Sequence, residues 1–200
     1  MRIVAVMGAL LLLVGCSGAD ADTPDLRDRI VKSFLGDDAV KAAGFAPDGS
    51  PPADDQSPLL PCPTELSTDD ERSRTRLTRT WSTPVIDVTK LVQRTLGYPD
   101  AEVAAATVQD ARRALDCGKF QVDGQEHEVS GEMNLKYVQA DAKFGFCHRA
   151  KRKTAFDTTC HLLLARGPLV TVVTITNSVS NLSNTFDRLG NEAYKLLPVA

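Results

Sequence analysis

Residues 3–14, IVAVMGALLLLV, form an apolar run broken only by Gly8, with Arg2 as a short positive flank before it. The run is about twelve residues long, whereas crossing a bilayer core as a helix takes ~20. It therefore has the length of the apolar region of an export signal and cannot serve as a span. No later run reaches spanning length either. This one feature sets the conditions under which the rest must fold. An exported chain meets an oxidising compartment, so its cysteines become candidates for cross-links.

The run ends in Leu13-Val14-Gly15-Cys16, followed by SGADADTPD. Position, small residues and cysteine together resemble the lipobox of bacterial lipoprotein signal peptides. That resemblance implies cleavage between Gly15 and Cys16, a diacylglyceryl group on the Cys16 thiol and an acylated new amino terminus. Several acyl chains anchor a protein stably where one holds it only marginally. The expectation is a signal peptide over 1–15 and a lipidated, small and acidic tether over 16–25. The protein would be held at the extracytoplasmic face of the cell membrane. The alternative is an ordinary secretory peptide with an incidental cysteine. Ser17, not Asp, follows Cys16, so an inner-membrane retention signal is missing, which matters only in a double-membrane cell.

Without residues 1–15, 185 of the 200 residues remain, enough for one domain with a substantial core. The formal charge is −3, and becomes −4 without the leader because Arg2 is its only charged residue. So mild an acidic balance carries no electrostatic footprint for nucleic acid. Besides Cys16 there are Cys62, Cys117, Cys147 and Cys160, an even set with three connectivities. Cys147 and Cys160 enclose a segment that reads as a hairpin, while Cys117 ends a helix and Cys62 lies in the loop before the core. These placements favour 62–117 and 147–160. Zinc is the competing reading, because His148 and His161 directly follow two of the cysteines, but the spacing lacks close cysteine pairs. No metal and no cofactor is expected.

Thr23-Pro24 fits a cap followed by proline at the first helical position, and Leu26, Ile30, Val31, Phe34 and Leu35 recur at helical spacing. A helical segment over 26–45 follows, with Gly36 as a stop and a further turn over 38–43. Residues 46–63 contain six prolines and read as an irregular loop. Residues 64–200 are expected to form the main domain. Alternation over 75–81 suits a strand, and 85–96 fits a strand or a short helix. The clearest helix starts at Pro99-Asp100 and carries Val103, Ala104, Val108, Ala111 and Leu115 in one stripe. Strands follow at 120–122 and 127–129 around an Asp123-Gly124 turn, with a parity shift inside 133–147. Further strands at 156–164 and 169–175, and a closing helix after 181–184, complete the order. The expected fold is α+β: an antiparallel sheet of about five or six strands, helices on one side, and two disulfides.

Enzyme chemistries lack their parts. There is no GxSxG elbow, HExxH, P-loop or dinucleotide glycine run. Cys147-His148 and Cys160-His161 are neighbours in sequence, and neighbours on a strand point to opposite faces. The pairs Asp37-Asp38, Asp54-Asp55 and Asp69-Asp70-Glu71 read as solvated loops or caps. Arg149, Lys151, Arg152 and Lys153 form a basic hairpin tip: a solvated turn, or a patch for an anionic partner. Arg74, Arg76 and Arg79 pose the same question more weakly. Trp81, Tyr137, Phe144 and Phe146 are the candidate lining of a ligand pocket, with core packing as the plainer role of the tryptophan.

Tyr98-Pro99-Asp100-Ala101-Glu102 with the alanine helix to Leu115-Asp116-Cys117, and Cys160-His161-Leu162-Leu163-Leu164-Ala165-Arg166-Gly167 running into Val170–Val173, together look like a known domain. With the terminal helix ending in Lys195-Leu196, they resemble the extracellular sensor domain of mycobacterial serine/threonine kinases of the PknH type. That domain also occurs in stand-alone actinobacterial lipoproteins. The resemblance covers about residues 60–198. It implies an extracytoplasmic α+β domain with two disulfides and a cleft for an unidentified ligand. This chain has no kinase domain, and Arg113 stands near the place of the usual helix tryptophan, so only the cysteines carry over. The functional expectation is a non-enzymatic envelope lipoprotein that binds a ligand or acts as a sensor-like module. A structural or accessory lipoprotein docking another envelope protein is the alternative, and a hydrolase or redox enzyme a more distant one.

Overall fold

The computed structural model describes residues 24–47, 49–62, 75–83, 90–122, 124–136, 138–151, 156–177 and 183–198. The signal segment, Cys16 and the tether up to Thr23 lie outside the described residues. Helix α1 spans Pro24–Lys32 and α2 Asp37–Ala42, followed by the two-residue strands β1 (Ala46–Pro47) and β2 (Ala53–Asp54). Strands β3 (Thr75–Ser82) and β4 (Lys90–Gly97) precede helix α3 (Ala101–Ala114) and a 3-10 turn at Leu115–Cys117. Then come β5 (Lys119–Val122), β6 (Gln125–Glu132), β7 (Ala142–Lys151), β8 (Phe156–Arg166), β9 (Leu169–Asn177) and helix α4 (Ser183–Leu196).

The strands make one antiparallel sheet in the order β1-β3-β4-β9-β8-β7-β6-β5, with β2 also pairing β3. The β-branched run at β9 sits centrally, as its composition predicts. Gly167 (φ 53°) supplies the positive φ of the two-residue turn between β8 and β9, and Gly124 (φ 77°) that of the residue leading into β6. Residues 85–96 resolve as strand from Lys90, and 84–89 lie outside the described residues. Asp100 caps α3 by accepting from Val103 N at 2.8 Å.

Two features correct the expected architecture. The sheet has nine strands, not five or six. Of the additional strands, β1 and β2 lie in the proline-rich segment, where two residues of pairing leave no periodic trace, and β4 takes part of the stretch that reads equally as strand or short helix. Helices also cover both faces, not one. On one face α1, α2 and α4 bury Leu26, Ile30, Val40, Phe186 and Leu189 against Leu77, Trp81, Leu91, Leu162, Leu164 and Val173. On the other, α3 packs Ala104, Val108 and Ala111 onto Phe144, Phe146, Leu163, Val170 and Val172. The cause is in β8 and β9, which are apolar at both parities and so need cover on both sides.

Leu59 and Leu60 of the proline-rich strap are drawn into the α3-side core. Cys62 bonds to Cys117 and pins the end of this strap to the turn after α3. Cys147 bonds to Cys160 across β7 and β8, where the two residues are register partners. A buried glutamine of β4 fastens the end of α1 to the sheet face that this helix covers. Gln93 Oε1 accepts from Leu35 N at 2.8 Å, and its Nε2 donates to Ser33 O and Thr171 Oγ1, both at 3.0 Å. Ser33, Thr95 and Thr171 are linked by further hydroxyl contacts, so this polar island is satisfied.

Candidate functional site

Two polar clusters lie on opposite faces of the sheet. The first is an open depression of ≈ 610 Å³ lined by Gln139, Arg166, Asn191, Tyr194 and Lys195. Arg166 ends β8 on the α4 side. Its Nη1 donates to Tyr194 O at 3.0 Å, and its guanidinium lies 4.5 Å from the Tyr194 ring centroid. The stacking holds a half-buried cation in a fixed attitude. Among the described residues no ion pair engages Arg166, whereas Lys195 at the rim pairs with Glu192 at 2.7 Å. Asn191 Oδ1 accepts from Gln139 N at 3.4 Å and joins the segment before β7 to α4. The depression thus offers one oriented guanidinium, amide side chains and a tyrosine.

The second cluster contains all three histidines of the chain. His127 on β6, His148 on β7 and His161 on β8 lie in line across the α3-side face. His127 Nδ1 and His148 Nδ1 are 2.9 Å apart, and His148 Nε2 and His161 Nε2 are 3.0 Å apart. His161 Nδ1 then meets Thr174 Oγ1 on β9 at 2.9 Å. Phe120 stacks on His127 with centroids 5.6 Å apart, and Phe146 stacks on His161 at 4.8 Å. His148 and His161 are 3% and 8% exposed. Burial first, then the charge of His127, pushes His148 down from 6.5 to about 4. His161 is held well below the ordinary imidazole range by burial, then by His148 and Arg94. Both are neutral near pH 7.

The row follows from strand register. The Cys147–Cys160 pairing sets His148 opposite Thr159 and Phe146 opposite His161, which makes the two imidazoles diagonal neighbours. The His127–Ala150 pairing brings the third ring beside them. The cysteines occupy the other face, so sulfur and imidazole do not converge. Their sulfurs are taken up in disulfides, and among the described residues no three His, Cys, Asp or Glu side chains gather as a metal site.

The sequence-based pocket residues are not brought together. Trp81 is fully buried in the core beneath α1, α2 and α4, with Arg79 over its ring at 5.1 Å. Phe144 and Phe146 stack at 5.5 Å within the core beneath α3, with the sheet between them and Trp81. Tyr137 lies outside the described residues. In the basic cluster, exposed Arg149 pairs with Glu128 at 3.5 Å. Lys151 ends β7, and Arg152 and Lys153 fall outside the described residues. Sequence reasoning passed over Arg166 and Tyr194, which share neither a motif nor a neighbourhood in the chain.

No protein-family model matches the chain, and no curated protein does. The fold is similar to that of a solved structure titled "Crystal structure of the extracellular domain of PknH from Mycobacterium tuberculosis", with a TM-score of 0.62 and 14% identity. The match covers 85% of this chain and 93% of that one. At this identity the likeness is one of fold. Among the described residues no helix is long and apolar enough to cross a membrane.

Proposed function

We propose that the protein is a non-enzymatic, lipid-anchored extracytoplasmic domain that binds a small anionic ligand in the depression around Arg166. The observation that carries this reading is the guanidinium itself, oriented by Tyr194 and facing an open depression, with no carboxylate partner among the described residues. A planar fork held in place suits a carboxylate or phosphate, which it can engage with two parallel hydrogen bonds. Gln139 and Asn191 would supply neutral hydrogen bonds and Lys195 further positive charge at the rim. The fold shared with an extracellular domain supports placement outside the cytoplasm, as do two disulfides. Cys16 would carry the lipid, and the tether expected over 16–25 would lead from it into the start of α1 at Pro24.

Docking through an apolar surface has less support. Among the described residues the exposed large apolar side chains are Val31 and Leu196, one on each of two different helices. The test is calorimetric titration of the full chain with inorganic phosphate and with succinate, against an Arg166→Gln variant. Saturable binding of either probe, weakened about tenfold or more by the substitution, is the expected result. Absence of binding to both, or equal binding by the variant, overturns the proposal.

A further inference from the structure

A contact between two imidazole nitrogens needs one proton, no more and no fewer. The row has three contacts: His127–His148, His148–His161 and His161–Thr174. With all three rings neutral, the protons can point from His127 towards Thr174 or the reverse, and every contact is satisfied both ways. One extra proton also fits. With His127 doubly protonated, each ring donates to the next and the Thr174 hydroxyl accepts. A second extra proton has no such place, because it sets two N–H groups against each other across a 2.9–3.0 Å gap.

We propose that the histidine row is an acid-operated latch that holds the β5–β6 hairpin to the sheet, tolerating one excess proton and releasing the His127–His148 contact on the second. That contact yields because it is the outer one. His148 and His161 are buried, whereas His127 is half-buried on β6, a strand with no fully buried side chain. The hairpin forms the free end of the sheet, and Phe120 is the buried side chain of β5. Beyond Phe120 and His127, its ties to β7 are exposed ones, the Glu128–Arg149 ion pair and the Ser130 hydroxyl donating to Cys147 O at 3.0 Å, with ladder bonds interrupted by a bulge between Val129 and Gly131. At its base, Cys117 is bound to Cys62, so release is a local opening on a fixed hinge.

The charged surroundings favour this order. On β4, Arg94 shares the face beyond Thr174 and opposes charge at the His161 end, while its own partners are Asp55 and the carbonyls of Pro58 and Leu59. On β8, Asp157 is the register partner of Ala150, itself the partner of His127, which places a carboxylate on the row's face near its outer end. Lys90 opposite Thr176 lies at the far edge of β9. Glu126 and Glu128 on β6 point to the other face and pair with Lys119 and Arg149. Helix α3 buries Ala104, Thr107, Val108 and Ala111, and its charged residues lie at the surface, Arg112 with Glu132, Arg113 with Asp110, and Glu102 exposed in the first turn. Protons thus collect at the hairpin end.

Hydrogen exchange read by mass spectrometry on the full chain tests this, from about pH 7 down to about pH 4 and corrected for intrinsic rates. Amides of 119–122 and 125–132 should exchange about tenfold or more faster at the acid end, while those of β8 and β9 keep their protection. His127→Phe, which keeps a ring against Phe120 and removes the outer nitrogen, should abolish this acceleration. Unchanged hairpin protection, loss of β8 and β9 protection at the same pH, or an unaltered acid response in the variant each overturns the latch. Should the variant fail to fold, ring nitrogen-15 shifts of the wild-type histidines decide. Uptake of one proton with the contacts retained supports the proposal, and three rings titrating independently with native exchange protection sinks it.

Discussion

Replacing His148 with phenylalanine should remove much of the acid sensitivity of the fold. His148 titrates near 6.5 when unfolded and at about 4 in place. Its folded value is depressed, so between these limits the unfolded chain binds more protons than the native one. Stability is therefore greatest above the unfolded value and declines as pH falls through the window from 6.5 towards 4. The whole shift corresponds to roughly 3 kcal/mol, at about 1.4 kcal/mol per unit. About 2 kcal/mol of this should be lost between about pH 7 and about pH 5. His161 acts in the same direction. The assay is urea unfolding followed by fluorescence of Trp81, the only tryptophan and fully buried, with both disulfides intact. Phenylalanine sits beside Phe120, Phe146 and His161, so absolute stability can move either way, but the slope with pH must flatten. A variant that loses as much stability as the wild type over that interval would refute the reasoning.

Three further perturbations probe the frame that positions both clusters. Gln93→Leu leaves the Leu35 amide and the Ser33 carbonyl without their buried partner, and should cost about 2–4 kcal/mol in chemical denaturation. Gly190→Ala improves helix propensity, but its Cβ would stand 2.6 Å from Leu162 Cδ2. A net loss of about 1–3 kcal/mol, read as a lowered denaturation midpoint, is expected. Replacing Cys62 and Cys117 together with serine opens a link across 55 residues. About 4 kcal/mol should be lost, and limited proteolysis should cut first in the strap around Leu59 and Leu60.

Much of the sheet was legible because its strands differ in grammar from its helices. The 169–175 run and the alternation over 75–81 appear as β9 and β3, and Asp100 caps the helix that its stripe announced. What was hidden depends on contacts between distant segments. β1 and β2 are each two residues long and borrow their extended shape from β3. The cover on both faces is written in Leu162–Ala165 and Val170–Val173, which carry no polar alternation. The histidine row needed register. His148 and His161 stand in the sequence beside cysteines that face the other way, and His127 comes into line only through the pairing of β6 with β7. Arg166 and Tyr194 come from different elements and meet only through the docking of α4.

The bond between Cys147 and Cys160 has a consequence for how the molecule reaches this arrangement. Shifting β7 against β8 by two residues would keep every side chain on its own face and much of the apolar contact, so burial alone distinguishes such a slip weakly. It would, however, move the two sulfurs out of reach of each other. A mispaired chain keeps two free thiols and remains open to oxidation and exchange, while a correctly paired one closes and withdraws. Oxidation thus acts as a proofreading step for strand alignment. Because each cysteine is followed by a histidine, the step that locks the sulfurs on one side also aligns the imidazoles on the other.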